Sequence, residues 1–268
     1  MIAFAESRFN CSQNELMNDN SPLRKLLPDA RIDIWIFDLD SSWSLELNFD
    51  NLLSDDERSR AGSYVFPKDA SRFMLCRTML RLGLAGYLQQ VPRTISLASN
   101  CHGKPRLVDH PELHFNVSHS DRLGLIAFTT VGEVGIDAER MQRDVEALEI
   151  ARTCFTKNES ALVAAAQTPR EQTSIFLNLW TRKEAVLKAA GYGISHGVDL
   201  VDVSQPPMGQ IRLINAPGDL TESCWRVDDL KLVDGFVGAV AAPSGDWIVR
   251  NRTVNIEDAI QEIGSKNF

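Results

Sequence analysis

Glu184 and Lys188 lie one helical turn apart, and Lys183 flanks them. An acid between two amines, beside the apolar residues Ile175, Leu179, Val186 and Ala190, can bind a cation and a phosphate together. Alone, such a Glu–Lys pair is an ordinary surface feature worth about 0.3–0.5 kcal/mol. A second stretch changes its meaning. In Gly135-Ile136-Asp137-Ala138-Glu139 the acids stand two apart, so on a strand both project from one face while Ile136 and Ala138 face the core. Neighbouring carboxylates repel. A hard divalent ion such as Mg²⁺ relieves the repulsion, with waters and phosphate oxygens completing its shell; a solvated strand edge would relieve it too. If the helix bearing Glu184 packs on that strand, Asp137, Glu139 and Glu184 form a three-carboxylate set. Lys183 and Lys188 would then flank a polyphosphate bridging to the ion.

Arg72, Lys104 and the pair Ser118-His119 are further candidates. Arginine suits bidentate phosphate contacts, and a Ser-His loop at a strand end can donate hydrogen bonds to phosphate. Taken singly, Arg72 reads as a helix-surface residue and His119 as a turn residue satisfied by backbone. The chain has no P-loop, no GxGxxG after a strand, no HExxH and no GxSxG. Those absences argue against nucleotide hydrolysis of the P-loop kind, dinucleotide redox chemistry, zinc proteolysis and α/β-hydrolase chemistry.

The elements that must position these residues read as follows. Arg31 to Asp38 is a strand apolar on both faces at its centre, hence buried. Ser54 to Glu57 is a capping box opening a short helix to about Gly62, and Pro67 or Lys68 opens a longer one to about Gln90. His102-Gly103-Lys104-Pro105 is a turn. Leu113–Val117, Leu123–Thr130 and Val134–Glu139 form a strand meander. Asp144–Thr153 is helical. Thr156 to Glu159 is another capping box, on a helix to about Ala166. Thr168, Pro169 and Glu171 open the long helix that carries Glu184, and Gly191 stops it. Leu200–Val203, Gln210–Ile214, Cys224–Leu232, Phe236–Ala242 and Trp247–Val249 read as strands, and Ile256–Ile263 as a terminal helix. Helices with sequentially neighbouring strands in each half predict an α+β fold. The division expected is an N-terminal extension over 1–30, halves over 31–131 and 132–250, and a tail over 251–268.

Composition sets bounds on function. With 268 residues, 44% of them hydrophobic, there is ample material for a core. A net charge of -8 argues against general nucleic-acid binding. Cys11, Cys76, Cys101, Cys154 and Cys224 are scattered and form no CxxC, as expected of reduced thiols in a cytoplasmic protein. No apolar run approaches the roughly 20 residues that span a membrane, and residues 1–20 lack the apolar centre of a signal peptide.

Four pieces, in order, resemble the 4′-phosphopantetheinyl transferase superfamily in its larger, monomeric, Sfp-like class. They are Gly103-Lys104-Pro105, Phe115-Asn116-Val117-Ser118-His119-Ser120, Gly135 to Glu139, and Trp180 through Lys188. Phe155-Thr156-Lys157-x-Glu159 is similar to the family's approach to its last helix. The resemblance implies two similar α+β halves related by a pseudo-twofold, with coenzyme A between them and Mg²⁺ on Asp137, Glu139 and Glu184. It implies that Arg72 and His119 hold the 3′-phosphate. Lys104, with Pro105 in its motif, and Ser118 would place the nucleotide and diphosphate, and Lys183 and Lys188 would face the diphosphate. The implied reaction moves phosphopantetheine to a serine of an apo carrier protein (acyl, polyketide or peptidyl) and releases 3′,5′-ADP. Glu184 would take the serine proton, directly or through a metal-bound water, with Lys188 as its catalytic companion. No nucleic-acid or membrane partner is implied.

Three features depart from that pattern. Residues 1–30 exceed the family core. Glu57 stands where some relatives place a basic phosphate contact, leaving Arg60. Asp121 follows the Ser-His-Ser turn where glycine is frequent. The same acids and lysines would also suit a metal-dependent nucleotide phosphodiesterase, and a degenerate fold would bind carriers without turnover.

Overall fold

The computed structural model describes Leu27 and residues 30–40, 52–142, 145–192, 197–205, 210–212 and 224–267. Strand β1 (Arg31–Asp38) is followed by helices α1 (Asp55–Gly62) and α2 (Pro67–Leu88), then strands β2 (Leu97–Ser99), β3 (Pro105–Leu107), β4 (His114–Ser120), β5 (Leu123–Thr129) and β6 (Gly135–Arg140). Helices α3 (Ala147–Cys154), α4 (Lys157–Ala164) and α5 (Pro169–Ala189) come next. The chain closes with β7 (Gln210–Arg212), β8 (Cys224–Asp229), β9 (Phe236–Pro243), β10 (Ile248–Thr253) and α6 (Ile256–Asn267).

The result is an α+β fold of two halves on one plan, a long helix over a four-stranded sheet. The first sheet runs β10-β1-β5-β4 and the second β6-β9-β8-β7. Burial on both faces of β1 follows from its place in the stack. Ile32, Ile34 and Ile36 enter a core shared with Ile136, Ala138 and Val240 of the second sheet. Trp35 and Phe37 enter a second core with Met79 and Leu80 of α2. A third core lies between α5 (Leu179, Val186) and the far face of the second sheet (Val227, Ala239, Ala241). The layers are therefore helix, sheet, sheet, helix.

Several expectations need correction. The chain end is not a tail: β10 pairs in parallel with β1, from Arg31↔Ile248 to Ile36↔Thr253, and α6 packs on α2. Residues 248–267 thus complete the first half. Leu200–Val203 forms no ladder strand; Val198–Leu200 is a single 3₁₀ turn. The Val201 carbonyl and the Val203 N–H are instead taken up by Lys183 and Glu159. The turn expected at Lys104 is present, and it closes a short hairpin of β2 with β3. Asp144, Ile214 and residues 1–26 lie outside the described residues, while Leu27 is fully buried in the first core. Among the described residues no helix is long and apolar enough to cross a membrane.

Candidate active site

Contact between α5 and β6 builds the site. A β-carbon on Gly135 would lie 2.0 Å from the Ala185 carbonyl oxygen and 2.4 Å from the Ala189 nitrogen. Only glycine on the strand, facing alanines one turn apart on the helix, allows this approach. It brings Glu184 and Lys188 against the face of β6 that carries Asp137. Thr168 caps α5 by accepting from the Glu171 N–H. The expected reciprocal bond is displaced by one residue, Glu171 accepting from Gln167. Gly191 takes a positive φ of 81° and lets the Tyr192 N–H return to the Leu187 carbonyl.

Lys188 Nζ donates to Asp137 Oδ1 at 2.6 Å, with the Ser118 hydroxyl and the Ile136 carbonyl each at 3.3 Å. Glu184 is 2% exposed, and both its carboxylate oxygens are buried without a hydrogen-bond partner. Asp137 Oδ2 is in the same condition. Burial pushes the Glu184 carboxyl up to about 7; Lys188 opposes that rise, and the negative charges of Asp137 and Glu139 add to it. Among the described residues no three acid, histidine or cysteine side chains already close around a metal position. An ammonium, Lys188, neutralises Asp137 instead.

The strand bearing Ser118 and His119 runs farther than expected. β4 stays paired with β5 as far as Ser120↔Leu123, so these residues are strand residues and alternate in direction. Ser118 is buried and donates to Asp137 Oδ1 at 2.9 Å. His119 points the other way, to the surface, with its ring partly withdrawn from solvent. Burial lowers its pKa, as do the positive charges of Lys188 and Arg72, while Asp137 and Glu139 oppose the shift. His119 thus senses the charged groups of both halves.

Arg72 is already engaged. Its guanidinium makes a two-pronged contact with Asp40, both distances 2.9 Å, and reaches Asp121 at 3.3 Å. Asp121, at a positive φ of 50°, also accepts from Arg140 at 2.8 Å. The hydrogen bond from Arg72 holds the Asp40 carboxyl below its usual range, with a weaker contribution from Lys68. Glu57 is structural: it completes the α1 cap and pairs with buried Arg81 at 2.5 Å. Arg60 lies over the Phe73 ring.

One of the expected phosphate ligands stands elsewhere. Lys183 is fully buried, its ammonium bound by both oxygens of Glu159, at 2.8 and 2.6 Å, and by the Val201 carbonyl. It is adjacent to Glu184 on α5, a turn of about 100° about the helix axis, which aims it at α4 rather than at β6. It is a structural cation. Lys104 donates to Glu133 and to the Ala189 carbonyl at 3.2 Å, at the C-terminal end of α5. Burial pushes its ammonium below the ordinary value, against the pull of Glu133. Pro105 opens β3 opposite Ser99. Sequence reasoning did not reach Asp40 or Glu133. Glu159 was visible as a capping residue, but nothing in its spacing showed that it also receives Lys183.

Comparison with known proteins shows the family. A family model described as the 4′-phosphopantetheinyl transferase superfamily matches residues 133–241. A second, described as the N-terminal part of 4′-phosphopantetheinyl transferase, matches residues 40–131. The chain is 32% identical over 229 residues to the 4′-phosphopantetheinyl transferase HetI of Nostoc sp., covering 84% of this chain and 93% of HetI. It is 31% identical over 199 residues to Sfp of Bacillus subtilis, covering 74% and 86%. It is also 26% identical over 223 residues to the mouse L-aminoadipate-semialdehyde dehydrogenase-phosphopantetheinyl transferase, covering 77% and 72%. The boundary between the two models falls between β5 and β6, where the chain passes from the first sheet to the second. The chain belongs to the 4′-phosphopantetheinyl transferase superfamily, in its Sfp-like class.

Proposed function

We propose that this protein transfers 4′-phosphopantetheine from coenzyme A to a serine of an apo acyl, polyketide or peptidyl carrier protein, using Mg²⁺ held by Asp137, Glu139 and Glu184. The observation that carries the metal assignment is electrostatic. Asp137 Oδ2 and both oxygens of Glu184 are buried without a donor, on acids close enough to raise the Glu184 pKa. Buried carboxylate oxygens without partners are costly unless a cation arrives. When bound, Mg²⁺ supplies positive charge to the diphosphate oxygens.

The chain's own groups divide the remaining work. Lys188 exchanges Asp137 for a diphosphate oxygen and neutralises the leaving group. Arg72 and His119 hold the 3′-phosphate, for which Asp40 and Asp121 must yield Arg72. Lys104 and Ser118 border the nucleotide and diphosphate. The serine oxygen attacks the phosphorus that carries pantetheine. The bond from that phosphorus to the bridging oxygen breaks, and 3′,5′-ADP departs with the electron pair. Glu184 receives the serine proton.

The test is incubation with coenzyme A, Mg²⁺ and a panel of apo carriers, followed by mass spectrometry. Transfer adds the phosphopantetheine mass to a carrier. Cleavage of coenzyme A without carrier modification would support a phosphodiesterase, and carrier binding without turnover a binding protein.

A further inference from the structure

Among the described residues strand β6 lies at the edge of the second sheet, paired with β9 alone. The N–H groups on its open side are received by side chains of β4. Asn116 Oδ1 accepts from Ile136 at 3.0 Å, Ser118 Oγ from Ala138 at 3.4 Å, and Ser120 Oγ from Arg140 at 3.1 Å. Alternate residues of one strand thus meet alternate residues of the other, and a side-chain ladder stands in for the absent backbone one. The two serines do something the asparagine does not. Each hydroxyl has a single proton, and each spends it on a carboxylate of β6: Ser118 on Asp137 Oδ1, and Ser120 on Glu139 Oε2, both at 2.9 Å.

We propose that Ser120 is a positioning residue for Glu139: its hydroxyl, anchored by the Arg140 N–H and donating to Oε2, aims that carboxylate at the divalent cation. This rests on the metal reading above. Side by side on one strand face, Asp137 and Glu139 repel and would otherwise splay apart. A neutral donor fixes the rotamer of Glu139 without adding charge. Ser118 does the same for Asp137, but it also reaches Lys188, so its removal would mix two effects. Ser120 isolates one. Hydrogen-bond partners of metal ligands commonly affect affinity by about 10–100-fold.

The experiment is titration of Mn²⁺ into the protein with coenzyme A present and carrier absent, with free Mn²⁺ followed by electron paramagnetic resonance. Ser120→Ala is expected to bind Mn²⁺ about tenfold more weakly, and Ser120→Thr, which keeps a hydroxyl, to restore most of the affinity. Asn116→Ala removes a rung that touches no carboxylate, so it should lower the thermal midpoint while leaving Mn²⁺ affinity unchanged. Wild-type affinity in Ser120→Ala would overturn the proposal, as would an equal loss in Asn116→Ala, which would reduce the ladder to a structural role. If the wild type itself binds no Mn²⁺ yet modifies a carrier, the metal reading fails, and this proposal with it.

Discussion

Lys188 Nζ and Asp137 Oδ1 meet at 2.6 Å across 51 residues of sequence, and their contact joins α5 to β6 at the point where Glu184 is buried. Among the described residues Lys188 is the cation paired with Asp137, and the pair is partly open, with the lysine side chain 23% exposed. It can therefore exchange one anion for another. Replacing Lys188 with Ala should lower kcat by about 10²–10³, the effect typical of losing one transition-state charge partner. Steady-state assays with an apo carrier would show it; near-normal turnover would remove Lys188 from the chemistry.

Glu184 gives a pH-dependent prediction. Its carboxyl is raised from 4.5 to about 7 by burial and by its acidic neighbours. Below pH 4.5 it is protonated in both folded and unfolded chains and contributes no penalty. Between 4.5 and 7 the folded state increasingly resists ionisation, and above 7 the full penalty of up to about 3 kcal/mol applies. With a chelator present, Glu184→Gln should therefore be more stable than wild type at pH 8 and no different at pH 4, as read by urea denaturation. The same variant should lose at least about 100-fold in transfer rate. A destabilised variant at pH 8 would contradict the assignment.

The Lys183–Glu159 pair predicts the opposite pattern. Lys183→Met leaves a carboxylate buried against an apolar partner and should cost about 3–5 kcal/mol. Molecules that remain folded should keep kcat/KM within a few-fold of wild type, because Lys183 is fully buried against Glu159 of α4 and does not face β6. A stable but inactive Lys183→Met protein would return this lysine to the phosphate site.

Gly135→Ala tests the close approach of helix and strand. The added carbon meets backbone on α5, not a side chain that can swing aside. Relief requires α5 to move off β6, at a cost of at least about 1–3 kcal/mol. Because Glu184 adjoins Ala185, transfer activity should fall with stability, and Mn²⁺ affinity with both.

Asp121 occupies a left-handed position while holding Arg72 and Arg140. Asp121→Gly fits that backbone better, releases Arg140 from its acid and leaves Arg72 with Asp40 as its remaining carboxylate partner, so both guanidinium groups turn more readily to phosphate. The KM for coenzyme A should fall by roughly two- to fivefold, the scale of one exposed ion pair, with a smaller change for dephospho-coenzyme A. An unchanged KM would place the 3′-phosphate away from Arg72.

Much of the architecture was legible in local sequence. The capping boxes at Ser54 and Thr156, the proline start of α5 and the two-faced apolar run of β1 each specify their element through nearby residues. So did the pairing of Asp137 with Glu139 on one strand face. What escaped depended on distant partners. The placement of β10 beside β1 is a crossover that alternation does not encode. The direction of Lys183 was set by Glu159 and by backbone of residues 201–203. The extension of β4 through Ser120 came from register with β5, so a Ser-His-Ser turn was expected where a strand continues. Asp40 and Glu133, which hold Arg72 and Lys104, are ordinary acids until the fold brings them near.

The most direct measurement is an anomalous-difference map from crystals grown with Mn²⁺ and coenzyme A. A single strong peak bounded by Asp137, Glu139 and Glu184, with Lys188 swung from Asp137 onto the diphosphate, is predicted. A peak bounded by other residues, or an enzyme that transfers phosphopantetheine with no peak between these carboxylates, would contradict it.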